Sequence, residues 1–468
     1  MRSRVGRASF TRHRHAWRMT SDASPQTADA DAEGRPAHRG RILAWALWDW
    51  ATQPFNSVII TFVFTALYLQ SEAFMQPEVA RLGEGDPAYD LARADMSGGF
   101  GLAMTLAGVL VAILAPVLGQ RADTDGQRKR WLGWMTTLLV LCMLGLYFVQ
   151  AAPPYFVLGV SLIAIGSIFS EIGGVNYNAL ITQVSTPANL GRVSGLGWGF
   201  GYTGGIVALV LVVIADSADW FGLDTSNGMA YRLIAVGCAL WTVAFAWPLF
   251  RYVPEAPAAG RERVSFVGGY VRLWRDLAGL WRTDRPMLWF LVASAIYRDG
   301  LAGVFTFGAV IASVAYGFST TEVLLFGVAA NLVAGLATML SGLLDDRFGP
   351  RTLIMWSLGG MIGAGLVVAF LEPLGSIVFW TAGLFLCLFV GPVQSASRSL
   401  LARVAPAGKQ GEIFGLYATT GRAVSFLAPL MWTVAIAVTG ATIWGVLGII
   451  AVVALGFVAM MFVKLEVR

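Results

Sequence analysis

GQRADTDGQRKR (residues 119–130) and GLLDDRFGPR (342–351) read as one motif written twice. Setting Gly119 on Gly342, an offset of 223, also sets Asp123 on Asp346 and Gly126 on Gly349. A second pair follows at nearly the same offset. LITQVSTPANLGRVSG (180–195) matches LLARVAPAGKQGEIFG (400–415) at 220, through Leu180 and Leu400, Val184 and Val404, Gly191 and Gly411, Gly195 and Gly415. Two loops repeated in the same order describe an internal duplication.

The chain around these loops is apolar. Of 468 residues, 56% are hydrophobic and only 13% charged, and the mean hydropathy is +0.66. Soluble domains carry roughly 25% charged residues, so composition argues against a water-soluble enzyme. Twelve runs approach the about 20 residues that cross a bilayer: 42–69, 98–119, 131–149, 155–181, 193–215, 233–250, 287–314, 323–344, 353–371, 376–400, 413–439 and 442–463. In hydrocarbon each backbone N–H and C=O must pair within its own segment, so all are expected to be helices. The repeated loops are separated by an even number of spans. The expected fold is therefore an all-α integral membrane protein of 12 transmembrane helices, built as two parallel six-helix repeats about an axis along the membrane normal. The expected division is a polar tail (1–41), a first lobe (42–250), a connection (251–286), a second lobe (287–463) and a short C-terminus (464–468).

Charge sets the expected topology. With the N-terminus in the cytoplasm, 27 of the 33 Lys and Arg fall on that side and only Arg81, Arg93 and Arg232 on the other. Both termini are expected to be cytoplasmic. The sequence pI near 9.2 is then topological, with attraction to anionic membrane lipids behind it, and no nucleic acid partner is implied. The tail has no apolar core of a signal peptide, and Met19 offers an alternative start. It holds all three histidines, His13, His15 and His38. Cys142, Cys238 and Cys387 fall inside spans at unrelated positions and read as small buried hydrophobes. In the connection, Phe266, Tyr270, Leu273, Trp274, Leu277, Leu280 and Trp281 recur at helical spacing, which predicts an amphipathic interfacial helix tethering the halves.

No phosphate-binding loop, nucleophile elbow or metal-ligand cluster occurs in the sequence, so no catalytic residue, metal or cofactor is expected. An ion gradient or the solute's own gradient must drive any transport. Six ionised side chains lie inside the spans: Asp49, Glu171, Arg298, Asp299, Arg398 and Arg422. Each would cost at least ~2.5–3.5 kcal/mol facing lipid at mid-bilayer, so they should face the bundle interior or a watery cavity. Two readings stay open. The charges pair to lock helices, as Asp49 would with a neighbouring arginine. Alternatively, Arg298 or Arg422 holds a substrate carboxylate while Asp299 or Glu171 meets an ammonium group. Glu171, alone in its span, is the expected proton carrier. Arg298 and Asp299 diverge by about 100° on a helix and should serve different partners. Asn176 (beside Tyr177 and Asn178) and Gln394 (beside Ser395, Ser397 and Ser399) either line a cavity or bond between helices. Gly197, Gly201 and Gly205 form a stripe for close helix packing.

The loop pattern G-x-x-x-D-x-x-G followed by basic residues resembles the signature loop of the major facilitator superfamily. The first glycine admits a neighbouring helix end, and the aspartate can accept from that helix's N–H groups. Gly119, Asp123, Gly126, Arg128, Gly342, Asp346, Arg347 and Gly349 are the expected conformational latch; Thr124 stands where the superfamily usually has arginine. WALWDWATQPFNSVIITFVF (45–64), NYNALI (176–181), GRVSGLGWGFGYTGG (191–205), YRDG (297–300) and GPVQSASRSLLARVAP (391–406) together resemble the vacuole-effluxer-like branch, with departures at Arg298 and at Gln53 and Pro54. The resemblance implies small-solute transport, with amino-acid efflux the best-known activity, and the chain is expected to be a monomeric secondary transporter of the bacterial inner membrane. It would export a small polar solute, an amino acid above all, by alternating access with proton exchange. A drug or lipid exporter, or a non-transporting scaffold or sensor, are the competing readings.

Overall fold

The computed structural model of the protein describes residues 37–463, apart from 84–85, 223–225, 256–265, 284 and 407. The expected C-terminus and nearly all of the expected tail lie outside the described residues. From Gly40 onward the described chain forms one compact unit. Among the described residues there is no strand.

The first half contains α1 (Ala37–Pro54), α2 (Pro87–Asp125), α3 (Arg128–Gly145), α4 (Phe156–Ala179), α5 (Leu190–Ser217) and α6 (Met229–Tyr252). The connection forms α7 (Phe266–Thr283), whose Tyr270 hydroxyl donates to the Ile113 carbonyl at 2.7 Å. The second half contains α8 (Arg285–Val310), α9 (Thr320–Phe348), α10 (Pro350–Phe370), α11 (Leu384–Val404), α12 (Gln410–Val424), α13 (Leu427–Thr439) and α14 (Gly445–Met461). Twelve helical paths are long and apolar enough to cross a membrane, α12 and α13 counting as one. Exposed Leu102, Leu106, Val109 and Leu110 give α2 the apolar outer surface that lipid requires.

The halves cross through α2 against α12 and α5 against α9, and the duplication governs both crossings. A Cβ on Gly415 would fall 2.6 Å from Pro116 Cα, and one on Gly195 2.7 Å from the Thr338 carbonyl. Thr419 donates to the Ala112 carbonyl at 2.8 Å, where its counterpart Gly199 faces Gly335. Glycine at these places lets backbones meet where any side chain would hold them apart.

Several spans depart from a continuous α-helix, with π-helical turns at Ile311–Ala315 and Phe379–Gly383, and two of the departures fall at prolines. Pro54 has no N–H for the Trp50 carbonyl, and the Trp241 indole N–H donates to that oxygen instead, at 3.2 Å. Beyond Pro54 the path continues as π-helix over Phe55–Phe62 and Phe64–Leu69. The eleventh span, expected unbroken over 413–439, is interrupted at Ser425 and Phe426 between α12 and α13. Pro429 cannot donate back to Ser425, and this missing bond falls at the interruption.

Candidate functional site

At the end of the bundle where the repeated loops gather, each motif aspartate holds a helix N-terminus of the opposite half. Asp123 accepts from the N–H groups of Gly411 and Glu412, both at 3.0 Å, at the start of α12. Asp346 accepts from Gly191 at 2.8 Å and Arg192 at 3.1 Å, at the start of α5. A helix start carries unsatisfied N–H groups and partial positive charge, so a carboxylate suits it. Gly119 packs against the Gly411 carbonyl, and a Cβ on Gly342 would lie 2.7 Å from the Gly191 carbonyl. Gly126 closes α2 with φ 62°, a left-handed conformation open to glycine, and Gly349 follows α9 with φ 84°.

The bases are arranged differently in the two copies. Buried Arg128 pairs with Asp123 at 2.5 Å and donates to Gln410 at 2.8 Å, while Thr124 donates to the Gln120 carbonyl on its own helix. In the second copy, expected Arg347 lies over the Phe348 ring at 5.2 Å. The bases beside Asp346 are Arg192 at 3.3 Å and Arg403 at 3.2 Å. Arg403 also pairs with Asp345 at 3.1 Å and donates to Pro187 in the other half at 2.9 Å. The arginine next in sequence packs on the ring of its neighbour Phe348, whereas Arg403 arrives from α11.

Deeper in the bundle, two ion pairs cross between the halves, each with its acid from the first and its arginine from the second. Arg398 lies 3.9 Å from Asp49. Its guanidinium also donates to the Ser194 hydroxyl at 3.0 Å, the Ser194 carbonyl at 2.5 Å and the Asn178 side chain at 3.1 Å. The Trp45, Tyr177 and Trp198 rings surround it at 5.0, 5.7 and 5.6 Å. Arg422 pairs with Glu171 at 2.5 Å, and both side chains are about 40% exposed. Glu171 and Asn178 are two helical turns apart on one face of α4, about 10 Å along its axis. The two arginines of the second half thus dock on one stripe of the first.

Arg298 and Asp299 serve different partners, as their angular separation requires. Arg298 lies 3.9 Å from the centre of the Tyr417 ring and donates to the Tyr417 carbonyl at 3.0 Å. Asp299 accepts from the Ala428 N–H at 2.5 Å and so caps α13 at the break. In this conformation Asp299 serves the backbone, not a counter-ion. Gln394 accepts from the Tyr202 hydroxyl at 3.2 Å across the halves, while Asn176 is fully buried and donates to Ile172 on its own helix. Sequence reasoning overlooked Arg403 and Asp345; the doubled acid at 345–346 was the available signal.

Two six-helix halves joined at one end, with ionised groups between them, define a transporter of the major facilitator class. The xylose:proton symporter XylE superposes with a TM-score of 0.66 over 92% of this chain and 95% of its own, at 14% identity. The fucose:proton symporter FucP of E. coli gives 0.67 over 92% and 98%, at 16% identity. The family model for vacuole effluxer Atg22-like proteins matches residues 182–467, and the chain belongs to that family. YxiO of Bacillus subtilis, described as an uncharacterized MFS-type transporter, is 24% identical over 90% of this chain and 94% of its own. Autophagy-related protein 22-2 of Aspergillus clavatus is 26% identical over 51% of this chain, which spans 42% of that longer protein. The probable nitrate/nitrite transporter NarK2 of Mycobacterium tuberculosis is 27% identical over 57% of this chain and 65% of its own.

Proposed function

We propose that the protein exports a small zwitterionic solute, an amino acid, across the bacterial inner membrane by alternating access, exchanging it for protons. The observation that carries this reading is the pairing of first-half acids with second-half arginines between the halves, in Asp49 with Arg398 and Glu171 with Arg422. A ligand with one ammonium and one carboxylate can replace such pairs without leaving a charge alone in a low-dielectric interior. Ionised groups of both signs are the chemistry an amino acid needs and a lipid tail does not.

The aspartate loops supply the gate. Asp123 and Asp346 hold the halves together where the loops meet, and these bonds must part for that end to open. The positive-inside distribution of Lys and Arg supports a cytoplasmic position for this end, so the conformation described is closed inward. Protons enter through the acids, with Glu171 the exposed member of the set. The unit of transport is the monomer in contact with membrane lipids.

Thermal unfolding tests the reading. An amino acid should raise the melting temperature of the purified protein, and Arg422→Ala should remove that rise. Stabilisation by amphiphiles alone would favour a lipid or drug exporter instead.

A further inference from the structure

We propose that Asp49 and Arg298 are the two poles of the substrate site, Asp49 receiving the ammonium group and Arg298 the carboxylate of an amino acid. The proposal rests on the amino-acid reading above and assigns its poles. The duplication carries it. ALWDWAT (46–52) in α1 and AIYRDGL (295–301) in α8 align at an offset of 249, which matches Asp49 with Arg298 and Trp48 with Tyr297. Their surroundings match as well. Trp48 stacks on Tyr177 with ring centres 4.6 Å apart, and the Tyr297 hydroxyl meets Ser397 at 2.6 Å, where Tyr177 and Ser397 are related by 220. A Cβ on Gly201 would lie 3.2 Å from Asp49, and one on Gly421 3.2 Å from Arg298, again related by 220. Each half therefore presents one ionised side chain against a glycine, and the duplicated scaffold carries opposite charges there.

The same symmetry locates the poles. Asn178 and Arg398 are also related by 220, and they hydrogen-bond to each other at 3.1 Å. Residues exchanged by a two-fold can touch only beside its axis. Asp49, at 3.9 Å from Arg398, therefore lies near that axis, and the duplication assigns Arg298 the corresponding place in the other half. One acid and one base at corresponding depth on either side of an axis complement a ligand charged at both ends.

The other interior charges already have partners in the conformation described. Glu171 and Arg422 close on each other, Asp299 caps α13, and Arg398 gives its donors to Ser194 and Asn178. Among the described residues the Asp49 carboxylate accepts no hydrogen bond and Arg298 meets no carboxylate. Asp49 has a counter-ion only at 3.9 Å, and Arg298 rests on a ring and a carbonyl, so a bound zwitterion would give each a closer partner of opposite charge.

Calorimetric titration of the purified full-length protein tests the assignment. The probes are the common amino acids, then the des-amino acid and the decarboxylated amine of the best binder (for leucine, isocaproate and isoamylamine). The wild type should bind both analogues more weakly than the amino acid. Asp49→Asn should weaken the amine roughly tenfold or more while sparing the carboxylate, and Arg298→Gln should do the reverse. Gly201→Ala and Gly421→Ala, which add one methyl beside each pole, should give the same split if the charge variants fold poorly. An amino acid that binds the wild type but shows no split in these variants, or analogues that do not bind at all, would overturn the assignment and leave the amino-acid reading standing. No binding by any amino acid would overturn that reading itself.

Discussion

Arg398 and Arg422 carry the same charge across the same boundary, yet burial separates their consequences. Arg398 is 3% exposed and holds Asp49, Ser194 and Asn178 together. Arg398→Ala leaves the partly buried Asp49 carboxylate without its counter-ion and Ser194 and Asn178 without their donor, and should lower the melting temperature clearly. Glu171→Gln breaks a pair whose members are 43% and 39% exposed, worth at most about 1 kcal/mol after solvent screening. Its melting temperature should barely move while its transport changes. Tryptophan fluorescence during thermal unfolding compares the two directly, and equal destabilisation would contradict the distinction. The six interior charges could be found in the sequence because lipid rejects them. An arginine partner for Asp49 was also open to reading, but the partners of Asp299 and Arg298 were not, since Asp299 ends on a backbone N–H at Ala428 and Arg298 on the Tyr417 ring.

The broken eleventh span is the element where hydropathy misleads. Ser425 and Phe426 do not lower the average of a long apolar window, so the run 413–439 reads as one helix. Pro429 was the visible warning, and Asp299 is what makes the break tolerable by capping α13 inside the bundle. Pro429→Ala restores an N–H for the Ser425 carbonyl. It should raise thermal stability and slow transport, because a continuous helix no longer presents Arg422 at a helix end beside the break. Asp299→Ala should do the opposite to stability, by about 1–3 kcal/mol for the orphaned N–H group. If Pro429→Ala transports at the wild-type rate, the break has no part in turnover. Pro54 carries the same lesson for α1: the residue is plain in the sequence, but the Trp241 indole that takes over its lost acceptor is not.

For the whole molecule, the duplication was the most legible feature, because loops 223 and 220 residues apart need only be aligned. The loop motif itself foretold that the aspartates would face helix starts, but not that Arg403 rather than Arg347 would brace the second copy. Alternating access requires both clasps to part together. Asp123→Ala and Asp346→Ala should each shift the population toward the form open at the loop end, by about 1–2 kcal/mol or roughly five- to thirty-fold. Ser395, 1% exposed between the halves, is a suitable reporter once replaced by cysteine in a chain lacking Cys142, Cys238 and Cys387. Maleimide labelling there should accelerate in both clasp variants, and unchanged labelling would mean that the loops do not control opening. Counterflow in proteoliposomes tests the central claim most directly. Vesicles loaded with a mixed amino-acid pool should accumulate a labelled amino acid against its gradient in the wild type, differently at two pH values, and not in Arg422→Ala. Accumulation by neither protein, or equal accumulation by both, would contradict a charge-lined exchange site between the halves.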